Sequence, residues 1–441
     1  MFRTICHVLF RLNRPNHMLT RRIHRRGPAI LSLQQPQCLS LLHRTFSLWS
    51  MKKDPDLESA LSRNRRWIVN NQIKNIILRH PNQEIPIASL QKKFKTLDLK
   101  GKALNWLHKY PSCFNVTFTG EEHCCHLSKR MMSLVEEEES VRESQENAFV
   151  CRLAKLLMMS VNKRINVLKI NELKRNLGFP DDYIIRIVAK YPNLFRVVNE
   201  GGRKSSMEIE LVHWDPQFAV STVETAASRS GNIRPTFSCS LPFSWVKSWE
   251  RFREFDLVPY FSPYVDPREL VEGSKEMEKR NVGLVHEVLS LTLWKKASIV
   301  KLGHFRREFA LPDRLNVLLL KHPGIFYVSN KYQIYTVLLR EAYVGSKLVE
   351  KDPLVVVKEK FGELMQEGLH EYNQRRRHIN MEKRRKKGVP LARVDEVKCR
   401  RRRSENADSD DDEDGDNKLG GLFDPEERKR FYKVLFDDDT S

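Results

Sequence analysis

The chain has 441 residues, with 77 Lys or Arg against 56 Asp or Glu, so its formal net charge is +21. This length accommodates about two to four domains, and so large a basic surplus favours a polyanionic partner. The eight cysteines are too few in so long a chain for a disulfide-stabilised fold, and no apolar stretch approaches the length of a membrane span. The surplus persists in the central region, where residues 54–400 hold 59 basic and 42 acidic side chains.

The first 50 residues contain eight Arg but no Lys, Asp or Glu. This composition is typical of an organellar presequence, and its Arg content favours the mitochondrion over the chloroplast. We therefore predict a transit peptide over residues 1–53. The alternative is a basic tail without a targeting role. A secretory signal is disfavoured because Arg and His interrupt every apolar run.

A short phrase occurs three times in the chain, at residues 109–116, 190–197 and 321–328. Its pattern is Lys, an aromatic ring, Pro, two variable residues, Phe, one variable residue and Val. Each copy follows an apolar helical pattern, and proline cannot continue a helix. Phe and Val two positions apart then lie on the same face of a strand. The phrase therefore predicts a helix end that leads into a strand; the alternative is that it is only a common helix stop.

The segments around the phrase also repeat. Upstream of each copy lie a long apolar-periodic helix and a second, shorter helix, and downstream lies another strand-like run. Helix, short strand, helix, helix and β-hairpin is the order of a winged helix. The predicted fold is therefore α+β and predominantly helical, with three tandem winged-helix-like modules at about 60–130, 145–215 and 279–345.

Basic side chains on the predicted modules are candidate RNA contacts, because phosphate contacts supply much of the affinity for nucleic acids. The second module carries the densest basic set, including a predicted hairpin tip at 200–204. Any one of these basic side chains is most commonly a solvated surface charge, so only the basic set as a whole favours a nucleic-acid partner. The predicted contacts on the modules are Arg65, Arg66, Lys92, Lys93, Lys174, Arg175, Arg186, Lys190, Arg203, Lys204, Arg306 and Arg307.

An aromatic-rich insertion at 216–278 separates the second and third modules. Aromatic rings between Arg side chains can stack on unpaired bases while the guanidinium groups hold phosphates. The alternative is that the rings pack the second module against the third. The predicted RNA contacts in the insertion are Lys247, Trp249, Arg251 and Arg253.

The sequence lacks the motifs of common enzyme classes, including a P-loop, a dinucleotide-binding glycine motif, a nucleophile elbow and a zinc-protease motif. The His-Cys-Cys-His cluster at 123–126 is predicted to lie in a strand. Neighbouring side chains of a strand point to opposite faces, so these four cannot surround one metal ion. We therefore predict no enzyme activity, no cofactor, no metal site and no small-molecule substrate.

Residues 371–441 are predicted to form a charged, largely disordered tail. It begins with a basic helical stretch and changes at 408–416 to an acidic block. Such blocks are usually disordered, and the acidic block can fold back on the basic stretch and moderate non-specific binding. The basic runs also resemble a bipartite nuclear import signal, but the Arg-rich N-terminus favours an organelle.

Several motifs resemble the plant organelle RNA recognition (PORR) family over about 54–370. The most specific is the Leu-Val-Pro-Tyr-Phe-Ser-Pro-Tyr stretch at 257–264. The others are Asp-Pro-Asp-Leu at 54–57, Leu241-Pro242 followed by Trp249, and the repeated phrase itself. The resemblance implies a nuclear-encoded plant protein that binds organellar introns and promotes group II intron splicing together with other splicing factors. It supplies no catalytic residue, and the RNA contacts given above are inferred from residue chemistry.

The predicted function is therefore RNA binding that promotes the splicing of organellar group II introns, in the mitochondrion or alternatively in the chloroplast. The basic surface would neutralise phosphates and hold unpaired segments while the RNA supplies the chemistry. Two other classes remain open, namely a winged-helix DNA-binding transcription factor and a protein-interaction scaffold.

Overall fold

The computed structural model describes residues 53–386, apart from residues 63, 100, 120, 121 and 332–334. The predicted transit peptide thus lies almost entirely outside the described residues, as does the predicted tail beyond residue 386. The described chain is predominantly helical with small antiparallel sheets, so the predicted α+β class is confirmed. Within these ranges, no helix is long and apolar enough to cross a membrane.

Three segments share one order of elements, which is a long helix, a short strand, two or three shorter helical pieces and a two-stranded hairpin. We call them modules 1, 2 and 3. In each module the third strand lies between the first and the second, and both pairings are antiparallel. The elements of module 1 are α2 (Arg65–Arg79), β1 (Glu84–Pro86), α3 (Ile87–Lys92), α4 (Ala103–His108), β2 (Phe114–Thr119) and β3 (Glu122–Leu127).

Modules 2 and 3 follow the same plan. The elements of module 2 are α6 (Glu146–Met159), β4 (Arg164–Asn166), α7 (Val167–Leu177), a π-helical turn (Ile184–Val188), β5 (Phe195–Val198) and β6 (Glu208–Leu211). The elements of module 3 are α10 (Lys275–Leu291), β7 (Lys296–Ser298), α11 (Ile299–His304), α12 (Arg306–Phe309), α13 (Leu315–Lys321), β8 (Phe326–Ser329) and β9 (Thr336–Leu339).

The remaining elements connect or flank the modules. Helix α14 first places Leu354 and Val355 in the core of modules 2 and 3 and then Phe361, Leu364 and Met365 in the core of module 1. It continues through the predicted domain boundary at residue 370 to residue 386. These elements are α1 (Pro55–Ala60), α5 (Lys129–Ser144), α8 (Thr222–Ser230), α9 (Val246–Leu257), the ribbon of β10 (Tyr343–Val344) and β11 (Lys347–Leu348), and α14 (Pro353–Lys386).

The repeated phrase turns the chain from a helix into the second strand of each module, as predicted. Its Phe is the first residue of that strand, and in all three copies the Phe N–H donates to the carbonyl of the aromatic residue four positions earlier at 3.0 Å. Each Phe is buried and lies opposite a Leu of the third strand. The phrase therefore sets both the turn and the strand register.

A second repeated feature closes the long helices, and sequence reasoning missed it. Lys163 and Lys295 lie four residues after the ends of α6 and α10 and adopt positive φ angles of 56° and 47°. Their Nζ atoms donate to the Met158 carbonyl at 2.7 Å and to the Ser290 carbonyl at 2.5 Å, as lysines near helix C-termini can do. Gln83, with φ of 54°, holds the corresponding place in module 1.

Two separate hydrophobic cores support the modules. Module 1 has a core of its own, which α14 completes with Phe361, Leu364 and Met365. Modules 2 and 3 share the other core with residues of α1 and the insertion. Helices α5 and α14 pack against each other. Module 1 is therefore attached to the rest of the chain through helices and not through a continuous core.

The aromatic insertion packs against α10 of module 3. Phe237, Phe255 and Tyr264 are buried, and the Phe237 ring lies edge-on to His286 of α10 with 5.5 Å between the ring centroids. For these three rings the structure selects the packing alternative.

A buried carboxylate joins module 2, the insertion and module 3. Glu287 of α10 accepts hydrogen bonds from Lys155 Nζ at 2.8 Å, the Thr222 backbone N–H at 2.7 Å and the Tyr264 hydroxyl at 3.1 Å. Lys155 belongs to α6, and the other two donors belong to the insertion. Burial and the adjacent carboxylate raise the pKa of Tyr264 well above its usual value, so this hydroxyl keeps its proton and donates.

Candidate nucleic-acid interface

Some of the predicted RNA contacts are held inside their own module. Arg65 of α2 donates to the Asp98 carboxylate at 2.6 Å, and its guanidinium lies 5.5 Å from the centre of the Trp106 ring. Its side chain is only 19% exposed. Arg65 therefore stabilises module 1, and little of it is available to a ligand.

Several predicted contacts of module 2 also have acidic partners. Lys174 lies 3.1 Å from Asp181, and Arg186 lies 2.7 Å from Glu139 of α5. Hydrogen bonding to Glu139 raises the pKa of Arg186 above its usual value. These two cations are therefore partly neutralised where they lie.

Lys190 belongs to the repeated phrase, and its environment explains why the phrase begins with Lys and a ring. Lys190 Nζ lies 2.6 Å from Glu146 at the start of α6, and Glu146 also accepts from the Tyr191 hydroxyl at 2.6 Å. In module 3, Glu278 of α10 binds Lys321 and His322 in the same way, at 3.5 Å and 2.9 Å. In modules 2 and 3 the first two positions of the phrase thus anchor it to the long helix.

The other predicted cations are distributed over several surfaces. Arg306 lies 2.7 Å from Asp313, and Arg66, Arg175 and Arg251 have interaction partners within the chain. Lys204 lies in a helical turn at Lys204–Ser206. The predicted cations that are exposed and that carry no charged partner within the described residues are Lys92, Lys93, Arg203, Lys247, Arg253 and Arg307.

Trp249 of α9 is half-buried and lies edge-on to Phe252 with 6.5 Å between the ring centroids. Its buried indole N–H lacks a hydrogen-bond partner within the described part of the chain. Lys247 and Arg253 are exposed on the same helix. The ring is therefore mainly a packing residue, with cations on either side of it in sequence.

A central cleft of about 1340 Å³ lies where α2, α5, α14 and modules 2 and 3 meet, and it brings together the predicted contacts Arg175 and Arg186. Its lining is of mixed charge. Burial acts to raise the pKa of Glu138 in this lining, but Lys74 at 2.8 Å and Arg142 at 2.6 Å outweigh it and hold that pKa below its usual value. The acidic lining residues are Glu138, Glu139, Asp181, Asp182, Glu359 and Glu363. Eight Lys or Arg side chains also line the cleft, but these carboxylates form ion pairs with several cations and so reduce the charge available to a phosphate.

A second cavity has a very different charge. It has a volume of about 770 Å³ and lies between β2 of module 1 and the C-terminal half of α14. We call it the hairpin–helix groove. Its cationic and imidazole side chains are His108, His126, Arg375, Arg376 and Lys383, and no carboxylate is among the described residues that line it. Arg375 lies 3.4 Å from Glu371, whose side chain is 40% exposed, and Arg376 also has an interaction partner within the chain.

Local structure explains why these residues meet. On α14 the lining positions are 372, 375, 376, 379, 380 and 383, and spacings of three and four place them on one face of the helix. On the sheet side, residues 114–117 line the groove consecutively. Successive residues of a strand point to opposite faces, so a consecutive run shows that the groove follows the edge of β2. In module 1, β3 covers the other edge of this strand.

Sequence reasoning missed this groove because it assigned Arg375, Arg376 and Lys383 to a charged tail. The sequence did contain a signal for a basic helix face, because basic and polar residues recur at three- and four-residue spacing from Tyr372 onwards. The partner surface on β2 carries no charge, and Asn115 stands at a variable position of the repeated phrase while Thr117 lies just after it.

Metal binding finds no support in the described ranges, which contain no group of three or more His, Cys, Asp or Glu placed to hold an ion. In the cluster at 123–126, Cys125 is buried in the core of module 1 while His123 is exposed. Burial raises the pKa of the Cys125 thiol to about 12, so it stays protonated and unreactive.

The chain matches the family model of the plant organelle RNA recognition domain over residues 52–370. It belongs to this family. The resemblance inferred from the motifs is thereby confirmed, and membership assigns the chain to RNA-binding proteins rather than enzymes. The matched region contains all three modules and the first half of α14, and it ends just before the cationic lining of the hairpin–helix groove.

Curated relatives come from both organelles. The chain is 35% identical over 338 residues to protein WHAT'S THIS FACTOR 1 homolog, chloroplastic, of Arabidopsis thaliana, covering 71% of this chain and 62% of the relative. It is 33% identical to WHAT'S THIS FACTOR 1, chloroplastic, of Zea mays, covering 66% of that protein. It is 30% identical to WHAT'S THIS FACTOR 9, mitochondrial, of Arabidopsis thaliana, covering 78% of that protein. The chain spans less than two thirds of the first two relatives, and no solved structure matches it significantly.

Proposed function

We propose that this chain binds intron RNA in a plant organelle and promotes its splicing. The observation that carries the proposal is the hairpin–helix groove, where three long cationic side chains and two imidazoles line one cavity without a carboxylate. Such a lining suits phosphates, which supply the largest part of the affinity for nucleic acids. Family membership supports RNA as the polyanion.

The proposed mechanism is that of an RNA chaperone. Cations neutralise phosphates and hold unpaired segments, so that a group II intron reaches the fold in which the RNA itself performs the chemistry. The element and strand order of the three modules supports a winged-helix interpretation. We propose that residues 54–370 form the RNA-recognition region with modules at about 60–130, 145–215 and 279–345, and that other splicing factors act with it.

For the compartment we propose the mitochondrion. The support is the Arg-rich, acid-free N-terminus and the mitochondrial relative, of which this chain covers the larger share. The chloroplast is the alternative, because the relatives of higher identity carry chloroplastic names.

The test is co-immunoprecipitation of RNA with the tagged full chain from purified mitochondria and, separately, from purified chloroplasts, followed by sequencing. We expect a small number of group II intron fragments to be enriched in one organelle, the mitochondrion. The control is the untagged line. Recovery no better than this control in both organelles would contradict the proposal, and enrichment of exons or ribosomal RNA alone would contradict its splicing component.

A further inference from the structure

We infer that the hairpin–helix groove is a single-strand site, which receives unpaired nucleotides of the RNA and excludes its helical parts. The inference rests on the proposed function, because it names the form of RNA that this one cavity takes. Four features carry it, namely the size of the groove, the chemistry of its two walls, the exposed edge of β2 and the rings between the walls.

The size of the groove limits what can enter. Its volume of about 770 Å³ falls in the range of about 300–1,000 Å³ that holds a drug-sized ligand. One or two nucleotides are of that size, whereas a base-paired helix is far larger and keeps its bases stacked inside. A duplex can therefore lie across the mouth of the groove, but its bases cannot reach the floor.

The two walls differ in chemistry. The wall on α14 supplies Arg375, Arg376 and Lys383, which match phosphate. The wall on β2 supplies the exposed Asn115 and Thr117, whose amide and hydroxyl groups donate and accept hydrogen bonds without charge. A strand of RNA has the same division, with anionic phosphates on one side and neutral base edges on the other.

The edge of β2 adds backbone groups to the neutral wall. Within the described part of module 1, β2 pairs with β3 alone, so its other edge has backbone N–H and C=O groups outside the sheet. Residues 114–117 line the groove consecutively along this edge. Unpaired bases expose the edges that such groups can bind, whereas in a duplex those edges are occupied by pairing.

Rings lie between the two walls. The half-buried Tyr372 and His126 and the exposed His108 all line the groove. Unpaired bases stack on aromatic side chains and on Arg planes, which contributes affinity that does not depend on salt. The groove thus combines phosphate, edge and stacking contacts that only an unstacked nucleotide can use together.

Matched variants of α14 separate this site from general positive charge. Arg375→Ala with Lys383→Ala removes two cations that line the groove. Arg377→Ala with Arg384→Ala removes two exposed cations of the same helix that do not line it. Both pairs lower the net charge by two, so any difference between them reflects position. A third variant, Asn115→Ala, removes a neutral contact.

The measurement is fluorescence anisotropy of the full chain with two labelled probes, an unstructured CA-repeat RNA and an RNA duplex of similar length, over a range of salt concentrations. We expect the wild type to bind the single strand more tightly. The groove pair should weaken single-strand binding about tenfold or more and reduce the slope of log affinity against log salt by about 1.4, from about 0.7 for each phosphate contact.

The controls have distinct expectations. The Arg377→Ala and Arg384→Ala pair should leave single-strand affinity within about twofold, and Asn115→Ala should weaken it without changing the salt slope. Equal binding of single strand and duplex by the wild type overturns the inference, as do equal losses for the two Arg or Lys pairs. Failure of the wild type to bind either probe, or any RNA from the organelles, overturns the proposed function itself. Urea unfolding of each variant identifies any loss that arises from misfolding, and Asn115→Ala then provides the independent test.

Discussion

Replacing Glu287 by Ala should destabilise the chain more than any exposed charge change. Glu287 is fully buried and accepts three hydrogen bonds, one of them from the ammonium group of Lys155, which is itself only 14% exposed. The substitution leaves the Thr222 N–H without its acceptor, and it leaves the Lys155 ammonium group with the Val220 carbonyl at 2.8 Å but without its carboxylate. It therefore creates an uncompensated buried charge at the junction of module 2, the insertion and module 3.

The expected loss is about 3–5 kcal/mol in the free energy of unfolding, which is the usual cost of removing one partner from a buried ion pair. Glu287→Gln keeps the shape and one acceptor, so we expect a loss of about half that size. Tyr264→Phe removes one hydrogen bond, and its expected cost is about 1 kcal/mol. The contacts alone therefore predict that Glu287→Ala causes the largest loss of stability, Glu287→Gln a smaller one and Tyr264→Phe the smallest.

Urea unfolding at pH 7, followed by circular dichroism, measures these losses. The matched control is Glu359→Ala, which breaks an ion pair of similar length, 2.7 Å to Lys351, with both side chains 36% exposed. Exposed pairs contribute about 0–1 kcal/mol. A Glu287→Ala variant no less stable than the Glu359→Ala variant would falsify the assignment of Glu287 as the link between the modules.

Two further predictions concern Lys358 and the acidic block. Burial lowers the pKa of the partly buried Lys358 to about 8, so the unfolded chain holds this proton more tightly than the folded chain does and Lys358 destabilises the fold below pH 8. Lys358→Met should raise the free energy of unfolding by about 3 kcal/mol at pH 7, with the gain vanishing towards pH 10.5; a gain that does not change with pH contradicts this reasoning. Deleting residues 404–416 should strengthen binding to random RNA more than to intron RNA at low salt, and unchanged binding to both would exclude competition by the acidic block.

The sequence predicted the architecture well where local chemistry repeats. The phrase combines a helix stop, a turn and a strand start in eight residues, and all three copies adopt that structure. The lysines at 163 and 295 escaped prediction because their role depends on positive φ angles and on a side chain that returns to its own helix. Nothing in the residue types distinguishes these lysines from solvated ones.

The candidate site was harder to predict. Sequence reasoning selected cations by their number along each module, but it could not identify their acidic neighbours. Arg65, Arg186 and Lys190 each meet a carboxylate that is distant in sequence. The groove on α14 joins residues more than 250 positions apart, such as Thr117 and Arg375. Only the tertiary packing of α14 on module 1 brings them together.

The most direct test of the central claim is ultraviolet cross-linking of the full chain to its organellar RNA, with adducts located by mass spectrometry. We predict that adducts concentrate at Tyr372, His108 and His126, the rings of the hairpin–helix groove, and that the Arg375→Ala and Lys383→Ala pair depletes them. Adducts confined to the central cleft or to α9, with none in the groove, would contradict the account.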